Sequence, residues 1–318
     1  MHRIAFVLCL ALAAPWAGAQ EYPTRSVRVV VPFAPGGGTD IVARLLAQHL
    51  SQRLSQSFVV ENQPAGSGIV GSNYVARAIP DGYTLLFAFS SLASSARLVS
   101  KLPYDPVADF SPITLATTSP LLLIVSASVP AKDVKEFIAY AKANPGKLNY
   151  GSSGPGSSPH LATELLISLT GVKIAHIPYK GIAPAVTALL SDEVQFSIVP
   201  IAVGMPHVKA GKLRALGTGG PLRSAATPDI PAVAESGLTE FEAIGWWGVL
   251  APARTPRAVV NVLNKEIRAV LDLAEVKRTL IDQGMDPAGG TPEQFGALIK
   301  VDVEKWGEIG NRLGVKLD

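Results

Sequence analysis

The stretch VVVPFAPGGGTDIVARLL, Val29 to Leu46, joins a strand pattern to a helix pattern through three consecutive glycines. The β-branched residues stop at Pro32, and the apolar spacing from Ile41 onward predicts an amphipathic helix. Glycine loses more backbone entropy on folding than any other residue, so three in one turn need a physical reason. Two interpretations are open: a tight turn whose dihedrals are closed to side chains, or another group that must approach the backbone closely.

A second loop repeats this arrangement later in the chain. The segment GSSGPGSS, Gly151 to Ser158, follows a predicted strand and precedes a predicted helix, with Ser158 as the N-cap and Pro159 as the first helical residue. A helix N-terminus presents unpaired N–H groups and the positive end of the helix dipole, which together favour an anion. Two such loops indicate backbone amides exposed to an anionic ligand, and a carboxylate is the best candidate.

Strand and helix patterns alternate along the chain, which predicts an α/β fold with mostly parallel sheets covered on both faces. The predicted strands include 27–31, 57–61, 83–89, 113–117, 121–126 and 147–150. Helices are predicted at about 39–50, 70–78, 134–143 and 161–169, and over most of 256–313. Further alternating units follow at 172–176, 183–190, 194–199 and 213–218.

The N-terminal residues have the pattern of a secretory leader. A positively charged start at residues 1–3 precedes an apolar run at 4–14, and Ala17-Gly18-Ala19 is an A-x-A cleavage pattern. A signal peptide 1–19, cleaved after Ala19, predicts export into a bacterial periplasm. Cys9 is the only cysteine and lies inside the leader, so no disulfide or thiol chemistry is expected in the exported chain.

The composition of the exported chain excludes several classes of function. Cleavage leaves 299 of the 318 residues, with 27 basic and 25 acidic side chains. This balance, without a long basic run, is not typical of nucleic-acid binding. A hydrophobic share of 48% in a chain of this length is enough for two ordinary cores.

Motifs for catalysis or cofactor binding are scarce. Neither glycine loop is followed by the lysine of a P-loop, and no H-E-x-x-H or C-x-x-C motif supports a metal site. Residues 66–71 match G-x-G-x-x-G but lack the acidic residue of a dinucleotide site, which favours a turn between strand and helix. His160 lies beside Ser157 and Ser158, yet the loop contains no G-x-S-x-G nucleophile elbow. We therefore predict no catalytic residues, no metal and no cofactor, and a satisfied or ligand-facing His160.

Seven segments, in order, resemble the Bug family, the periplasmic solute-binding components of tripartite tricarboxylate transporters. They are YPTRSVRVVVPFAPGGGTDIVAR, ENQPAGSGIVGSNYVARAIPDGYTLLF, NYGSSGPGSSPHLATELL, IPYKGIAPAVTALL, VKAGKLRALG, PDIPAVAESGL and GWWGVLAPARTP. The resemblance covers nearly all of residues 21–318. It implies two α/β lobes joined by crossing strands that close over a ligand, as in a type II periplasmic binding protein (a Venus flytrap). The expected bounds are 20–123 plus 247–318 for lobe 1 and 124–246 for lobe 2.

The resemblance also implies a set of ligand contacts. In the first loop they are Phe33, Pro35, Gly36, Gly37, Gly38, Thr39 and Asp40, and in the second they are Ser152, Ser153, Gly154, Gly156, Ser157 and His160. A third segment at the cleft edge contains Tyr179, Lys180 and Gly181, and the further lining candidates are Ser90 and Ser91. Loops of this kind in the family hold carboxylates mainly through backbone amides and ordered water.

Several of these side chains keep alternative roles. Asp40 either stabilises its own helix and loop, or accepts from a ligand hydroxyl, amine or water. Lys180 either neutralises a second ligand carboxylate or only rims the cleft. Trp246 and Trp247 are expected in core or hinge packing, with ligand stacking as the alternative. Val199 stands where many family members have an acidic residue, which argues against a ligand that carries an amine.

The sequence thus predicts a periplasmic, monomeric solute-binding protein without enzymatic activity. Its expected ligand is a small carboxylate: a di- or tricarboxylate, an acidic amino acid or an aromatic acid. The expected partners are the membrane permease subunits of a tripartite tricarboxylate transporter, with a sensor kinase as a further partner. The alternatives are an exported hydrolase and a ligand-sensing scaffold protein.

Overall fold

The computed structural model describes residues 22–99, 101–224 and 226–313, so the predicted signal peptide lies outside the described residues. Ten strands in this part of the chain form one continuous sheet. Their bounds are β1 Val27–Val31, β2 Phe58–Asn62, β3 Thr84–Phe89, β4 Phe110–Ser126, β5 Leu148–Ser152, β6 Ile174–Pro178, β7 Phe196–Pro200, β8 Leu213–Thr218, β9 Ile244–Pro252 and β10 Asp286–Gly289.

Helices cover both faces of this sheet, as an α/β fold requires. Their bounds are α1 Gly38–Leu54, α2 Ile69–Ala76, α3 Ser91–Ser94, α4 Val134–Ala143, α5 Ser158–Thr170, α6 Ile182–Leu190, α7 Ile201–Lys209, α8 Arg257–Leu271, α9 Ala274–Asp282 and α10 Pro292–Leu313. Short 3-10 turns lie at Gly66–Gly68, Ser95–Arg97 and Val233–Ser236.

The sheet divides into two parallel blocks, which define the two lobes. Strands β1, β2 and β3 are parallel and belong to the first lobe, whereas β5, β6 and β7 are parallel and belong to the second. The antiparallel pairs involve β4 or β9, the strands that join the blocks. The predicted two-lobe α/β class is confirmed. The predicted lobe bounds stay a prediction, supported by the change in the partners of β4 after Pro120.

One element was predicted wrongly. The segments 113–117 and 121–126 are not separate strands but parts of the 17-residue strand β4. The sequence predicts a boundary between two strands at Pro120, because proline lacks a ladder donor. In the structure Pro120 still pairs with Ile244 of β9, and the next residue, Leu121, is opposite Pro200 of β7. The proline therefore lies where the pairing of β4 changes from β9 to β7. Helices α3 and α7 and strand β10 were not predicted.

The glycine loops are placed by their strands. The buried strand β1, whose Val27 and Val31 are fully enclosed, ends at the first loop, and β5 ends at the second. Leu46 and Leu50 of α1 are buried against this core, and each buried leucine contributes roughly 1.5–3 kcal/mol. In α/β sheets ligands bind beyond the carboxyl ends of parallel strands. Both loops lie at such ends.

Candidate functional site

The first glycine loop leads from β1 into the N-terminus of α1. Gly37 is the N-cap residue, and no side chain caps the helix. Gly36 has a φ of 84°, a left-handed conformation that favours glycine. A Cβ on Gly38 would lie 3.3 Å from both Trp247 and Met285, so this glycine allows close packing. Both interpretations of the glycines thus apply, at different positions: Gly36 for the turn and Gly38 for close approach.

Asp40 is buried, and protein donors occupy its carboxylate. It accepts from the backbone N–H of Gly36 at 3.1 Å, from Arg44 at 3.0 Å and from Asn62 at 2.9 Å. Burial raises the pKa of Asp40, but these hydrogen bonds outweigh it and hold the pKa below its ordinary value. Of the two roles considered for Asp40, the structure favours holding the loop over contacting a ligand.

The second glycine loop is closed by its own hydrogen bonds. The N–H of Gly154 donates to Ser152 Oγ at 3.0 Å, and the N–H of Gly156 donates to His160 Nδ1 at 3.1 Å. Ser157, one residue before the predicted Ser158, is the N-cap of α5, and its hydroxyl donates to the carbonyl of Gly154. The amides of Gly154 and Gly156, expected as exposed donors, are therefore engaged inside the loop.

A cavity of about 20 Å³ lies between the two glycine loops. It is lined by Phe33, Ala34, Gly37, Gly38, Thr39, Phe89, Ser153, Pro159, Ile182 and Pro200. Gly38 opens α1, Ile182 opens α6, Pro159 lies in the first turn of α5 and Pro200 is the N-cap of α7. Four helix N-termini, one from the first lobe and three from the second, therefore meet here. None of these lining side chains is charged.

Five of the predicted residues line this cavity, and five lining residues were missed. Phe33, Gly37, Gly38, Thr39 and Ser153 were predicted. The missed residues are Ala34, Phe89, Pro159, Ile182 and Pro200. Most of them adjoin a predicted position, so the loop motifs could have indicated them. Pro200 needed the recognition of α7, for which the proline before a helical pattern was the available signal.

The third predicted segment lies where the lobes touch. Gly181 has a φ of 141°, and a Cβ there would lie 3.2 Å from Ala34 Cβ, across the cleft. Tyr179 donates its hydroxyl to Glu193, away from the cavity. Lys180 is exposed and does not line the cavity, so the structure favours a position at the rim.

Serines bridge the cleft on its other side. Ser90 Oγ lies 2.9 Å from Ser158 Oγ, and Ser94 and Ser95 donate to the carbonyl oxygen of Gly156 at 3.0 and 3.2 Å. Ser90, Ser94 and Ser95 belong to the first lobe, whereas Gly156 and Ser158 belong to the second. The structure therefore shows the two lobes in contact, with Ser90 in a bridge between them.

The two tryptophans pack in the core, as expected. Trp247 is fully buried, lies against Phe89 with ring centroids 4.9 Å apart, and donates its N–H to Thr39 Oγ1 at 3.0 Å. Trp246 donates to Asp302 at 2.9 Å. The contact with Thr39 means that Trp247 also supports the wall of the cavity.

A serine–histidine pair in the second lobe raises the question of catalysis. Ser152 Oγ lies 2.6 Å from His176 Nε2, a distance typical of a nucleophile and its base. However, Ser152 is fully buried and its oxygen already accepts from Gly154. No carboxylate bonds to His176 within the described residues. Burial also lowers the pKa of His176 to about 4, which makes it a weak base.

The rest of the described chain offers no competing site chemistry. No group of three or more metal-ligating side chains occurs in it, and none of its helices is long and apolar enough to cross a membrane. Two larger surface grooves, of about 530 and 690 Å³, contain none of the predicted site residues, and a third, of about 270 Å³, contains only Gly36 of them. The convergence of helix N-termini, rather than volume, singles out the cavity between the loops.

Comparison with known proteins gives a consistent result. A family model described as "Tripartite tricarboxylate transporter family receptor" matches residues 42–315. Protein BugT of Bordetella pertussis is 36% identical over 314 residues, covering 98% of this chain and 96% of BugT.

Solved structures agree with these relatives. The R. palustris protein Rpa4515 with adipate has a TM-score of 0.90 and 35% identity, covering 93% of this chain and 99% of that one. The periplasmic binding protein BugD has a TM-score of 0.90 and 34% identity over the same shares of the two chains. The matching family is thus described as a receptor family, and BugD as a periplasmic binding protein.

Proposed function

Because the chain belongs to the tripartite tricarboxylate transporter receptor family, we propose that it captures a small carboxylate in the cavity between its two lobes. Receptors of this family are periplasmic carboxylate-binding proteins. The proposal here is the place of capture, the groups that hold the ligand and the delivery that follows.

The observation that carries the proposal is the meeting of four helix N-termini at one cavity without a charged side chain. Each N-terminus contributes the positive end of a helix dipole, and a helix without a side-chain cap also contributes unpaired N–H groups. At α1 and α6 no side chain caps the helix, so these donors remain free for a ligand. An anion that enters the cavity would receive several charge-assisted hydrogen bonds, each worth about 1.5–3 kcal/mol.

We assign different tasks to the two glycine loops. The amides of Gly37, Gly38 and Thr39 bind the carboxylate, and Ser153 faces it from the second lobe. The other predicted residues shape the loops: Pro35, Gly36 and Asp40 in the first, and Ser152, Gly154, Gly156, Ser157 and His160 in the second. This division follows from their hydrogen bonds, which lie within the loops.

The cavity wall also limits the class of ligand. Phe33, Phe89, Ile182 and Pro200 supply apolar surface, and Val199 is fully buried in β7. An ammonium group would find no free carboxylate there, since Asp40 is occupied. We therefore expect carboxylates without an amine, such as adipate, to bind better than acidic amino acids. Because 20 Å³ holds no more than a single water, the lobes must separate to admit the ligand.

Delivery to the permease subunits of a tripartite tricarboxylate transporter is the proposed use of the captured ligand. Export by the signal peptide 1–19 and a monomeric state belong to the same proposal. A sensor kinase that reads the closed, loaded form is a further partner.

A thermal-shift and calorimetric screen tests the proposal. We expect adipate to raise the melting temperature, and its diamide, which lacks the negative charges, to have no effect. At 100-fold excess over Kd, a ligand stabilises by about 2.7 kcal/mol. Glutarate and glutamate form a matched pair that differs only in the ammonium group, and we expect glutarate to bind more tightly. Stabilisation by the diamide equal to that by adipate would refute the anion site.

A further inference from the structure

Two histidine rings stack beside the second glycine loop. His160 lies in the first turn of α5 and His176 lies on β6, with ring centroids 4.3 Å apart and planes within 16°. The ring of Tyr150 of β5 lies beside this pair, with its centroid 4.7 Å from that of His176 and 6.3 Å from that of His160. The three rings come from three different elements of the second lobe.

Each histidine holds one glycine of the loop. His160 Nδ1 accepts from the N–H of Gly156 at 3.1 Å. His176 Nε2 lies 2.6 Å from Ser152 Oγ, and that oxygen accepts from the N–H of Gly154 at 3.0 Å. The ring pair therefore fixes the two glycines whose φ angles, 112° and 73°, are left-handed.

The glycine held by His160 also forms the contact with the other lobe. Its carbonyl oxygen accepts from the hydroxyls of Ser94 and Ser95 of the first lobe. Gly156 is thus hydrogen-bonded on one side to the histidine stack and on the other to the opposing lobe. A shift of the His160 ring would therefore move the Gly156 carbonyl group, to which Ser94 and Ser95 donate.

The arrangement requires neutral rings. A ring nitrogen that accepts from an N–H must carry a lone pair, so Nδ1 of His160 is unprotonated and its proton is on Nε2. Burial lowers the pKa of His160 to about 3, with the neighbouring His176 as a second cause. Burial alone lowers the pKa of His176 to about 4. Both rings are therefore neutral at neutral pH.

The titratable groups packed against the stack are Tyr150 and Glu164. Tyr150 donates its hydroxyl to Glu164 Oε1 at 2.6 Å, and the same oxygen is 3.9 Å from His160 Nε2. Burial, and then Glu164, raise the pKa of Tyr150. On α10, which also packs against α5, Asp302 bonds to Trp246 and Lys305 pairs with Glu242.

We propose that the stacked, neutral His160–His176 pair is a positioning unit for the second glycine loop, and that His176 acts on the loop through Ser152. The role of this unit in ligand capture rests on the proposed function, whereas its hold on the loop does not. His160, predicted as a ligand contact, is then a positioning residue as well.

Nuclear magnetic resonance of the ligand-free protein tests the hold on the loop. Ring 15N shifts at pH 7 should show His160 with its proton on Nε2. Amide exchange should show protected Gly154 and Gly156 amides. His176→Phe keeps an aromatic ring in the stack but loses the nitrogen, so we expect protection of Gly154 and Gly156 to fall at least tenfold. His207→Phe, on α7 and outside the stack, is the matched control and should leave both unchanged.

Two results would overturn the proposal: a His160 proton on Nδ1, or unchanged protection of both glycines in a folded His176→Phe variant. If that variant does not fold, the wild type decides by its pH profile. Protection of Gly156 should then be lost in acid near the histidine pKa values of about 3 and 4, before that of core strand amides. If the Gly156 amide and the core strand amides lose protection at the same pH, the proposal is overturned.

Calorimetry with adipate separates this proposal from the proposed function. We expect His176→Phe to bind adipate at least tenfold more weakly than the wild type and His207→Phe. Wild-type protein that binds no small carboxylate would refute the proposed function, while the exchange data would still decide on the histidine pair. Loss of loop protection without loss of affinity would refute its role in capture.

Discussion

A side chain at Gly37 should block ligand binding without unfolding the protein. Gly37 has a φ of −80° and a ψ of 165°, an extended conformation open to any residue. A Cβ there would lie 3.5 Å from Ile182 Cγ2 and 3.8 Å from the carbonyl oxygen of Ala34, both ordinary contacts. Gly37→Ala and Gly37→Val therefore add methyl groups to the cavity wall with little strain.

The expected magnitude follows from the hydrogen bonds at the start of α1. Loss of one charge-assisted bond costs about 1.5–3 kcal/mol, which is roughly a 10- to 150-fold rise in Kd. We expect at least a tenfold loss for Gly37→Ala, and a larger one for Gly37→Val because of its two further methyl groups. Alanine is a poorer N-cap than glycine, which lowers the stability. Alanine also lowers the conformational entropy of the unfolded chain, which raises the stability by about 0.4–1 kcal/mol. The free energy of unfolding should change by no more than about 1 kcal/mol.

Isothermal calorimetry with adipate measures the affinity, and urea unfolding followed by circular dichroism measures the stability. Gly296→Ala is the matched control. Gly296 lies on α10, away from the cavity, and a Cβ there would make an ordinary contact of 3.4 Å with Pro112. It should bind adipate as the wild type does. If Gly37→Val is as stable as the wild type and binds adipate equally well, the amides at the start of α1 do not hold the carboxylate.

The remaining predictions use the same measurements. His160 and His176 are neutral when folded and have a pKa of about 6.5 when unfolded, so the unfolded chain binds more protons between pH 6.5 and 4. The free energy of unfolding should therefore fall as the pH falls, by about 2 kcal/mol for each histidine at pH 5. An equal fall in the double variant His160→Gln, His176→Gln would contradict this. Asp40→Asn weakens the contacts with Arg44 and the loop, and should lower the unfolding free energy in urea by about 1–3 kcal/mol. Saturating adipate should reduce the radius of gyration in small-angle scattering, and an unchanged curve would mean that the lobes do not close on the ligand or that they are already closed without it. Ser157→Ala removes the N-cap of α5 and should cost about 1 kcal/mol of stability with partial loss of affinity. Mass spectrometry should find no product of adipate, and conversion that Ser157→Ala abolishes would contradict a binding protein.

The sequence alone was enough for features that depend on neighbouring residues. The strand before Pro32, the glycines of the first loop and the helix after them all follow from local rules, since capping and periodicity act within one or two turns. The same rules gave the second loop, with an N-cap error of one residue. Alternating units then predicted the α/β class, and the ordered motifs indicated the family.

The tertiary structure decided every feature that depends on residues far apart in the chain. No local pattern predicts the hydrogen bond from Trp247 to Thr39 or the one from Ser94 to Gly156. Nor does one predict that Pro200 and Gly38 line the same cavity. The neighbours of Pro120 predict a break there, whereas β4 continues through it, paired with β9 before it and with β7 after it. The amides of Gly154 and Gly156 were expected to be free, because a sequence shows which donors exist but not which acceptors the fold brings to them. His176 supplies one such partner through Ser152, and only the pairing of β5 with β6 brings it there.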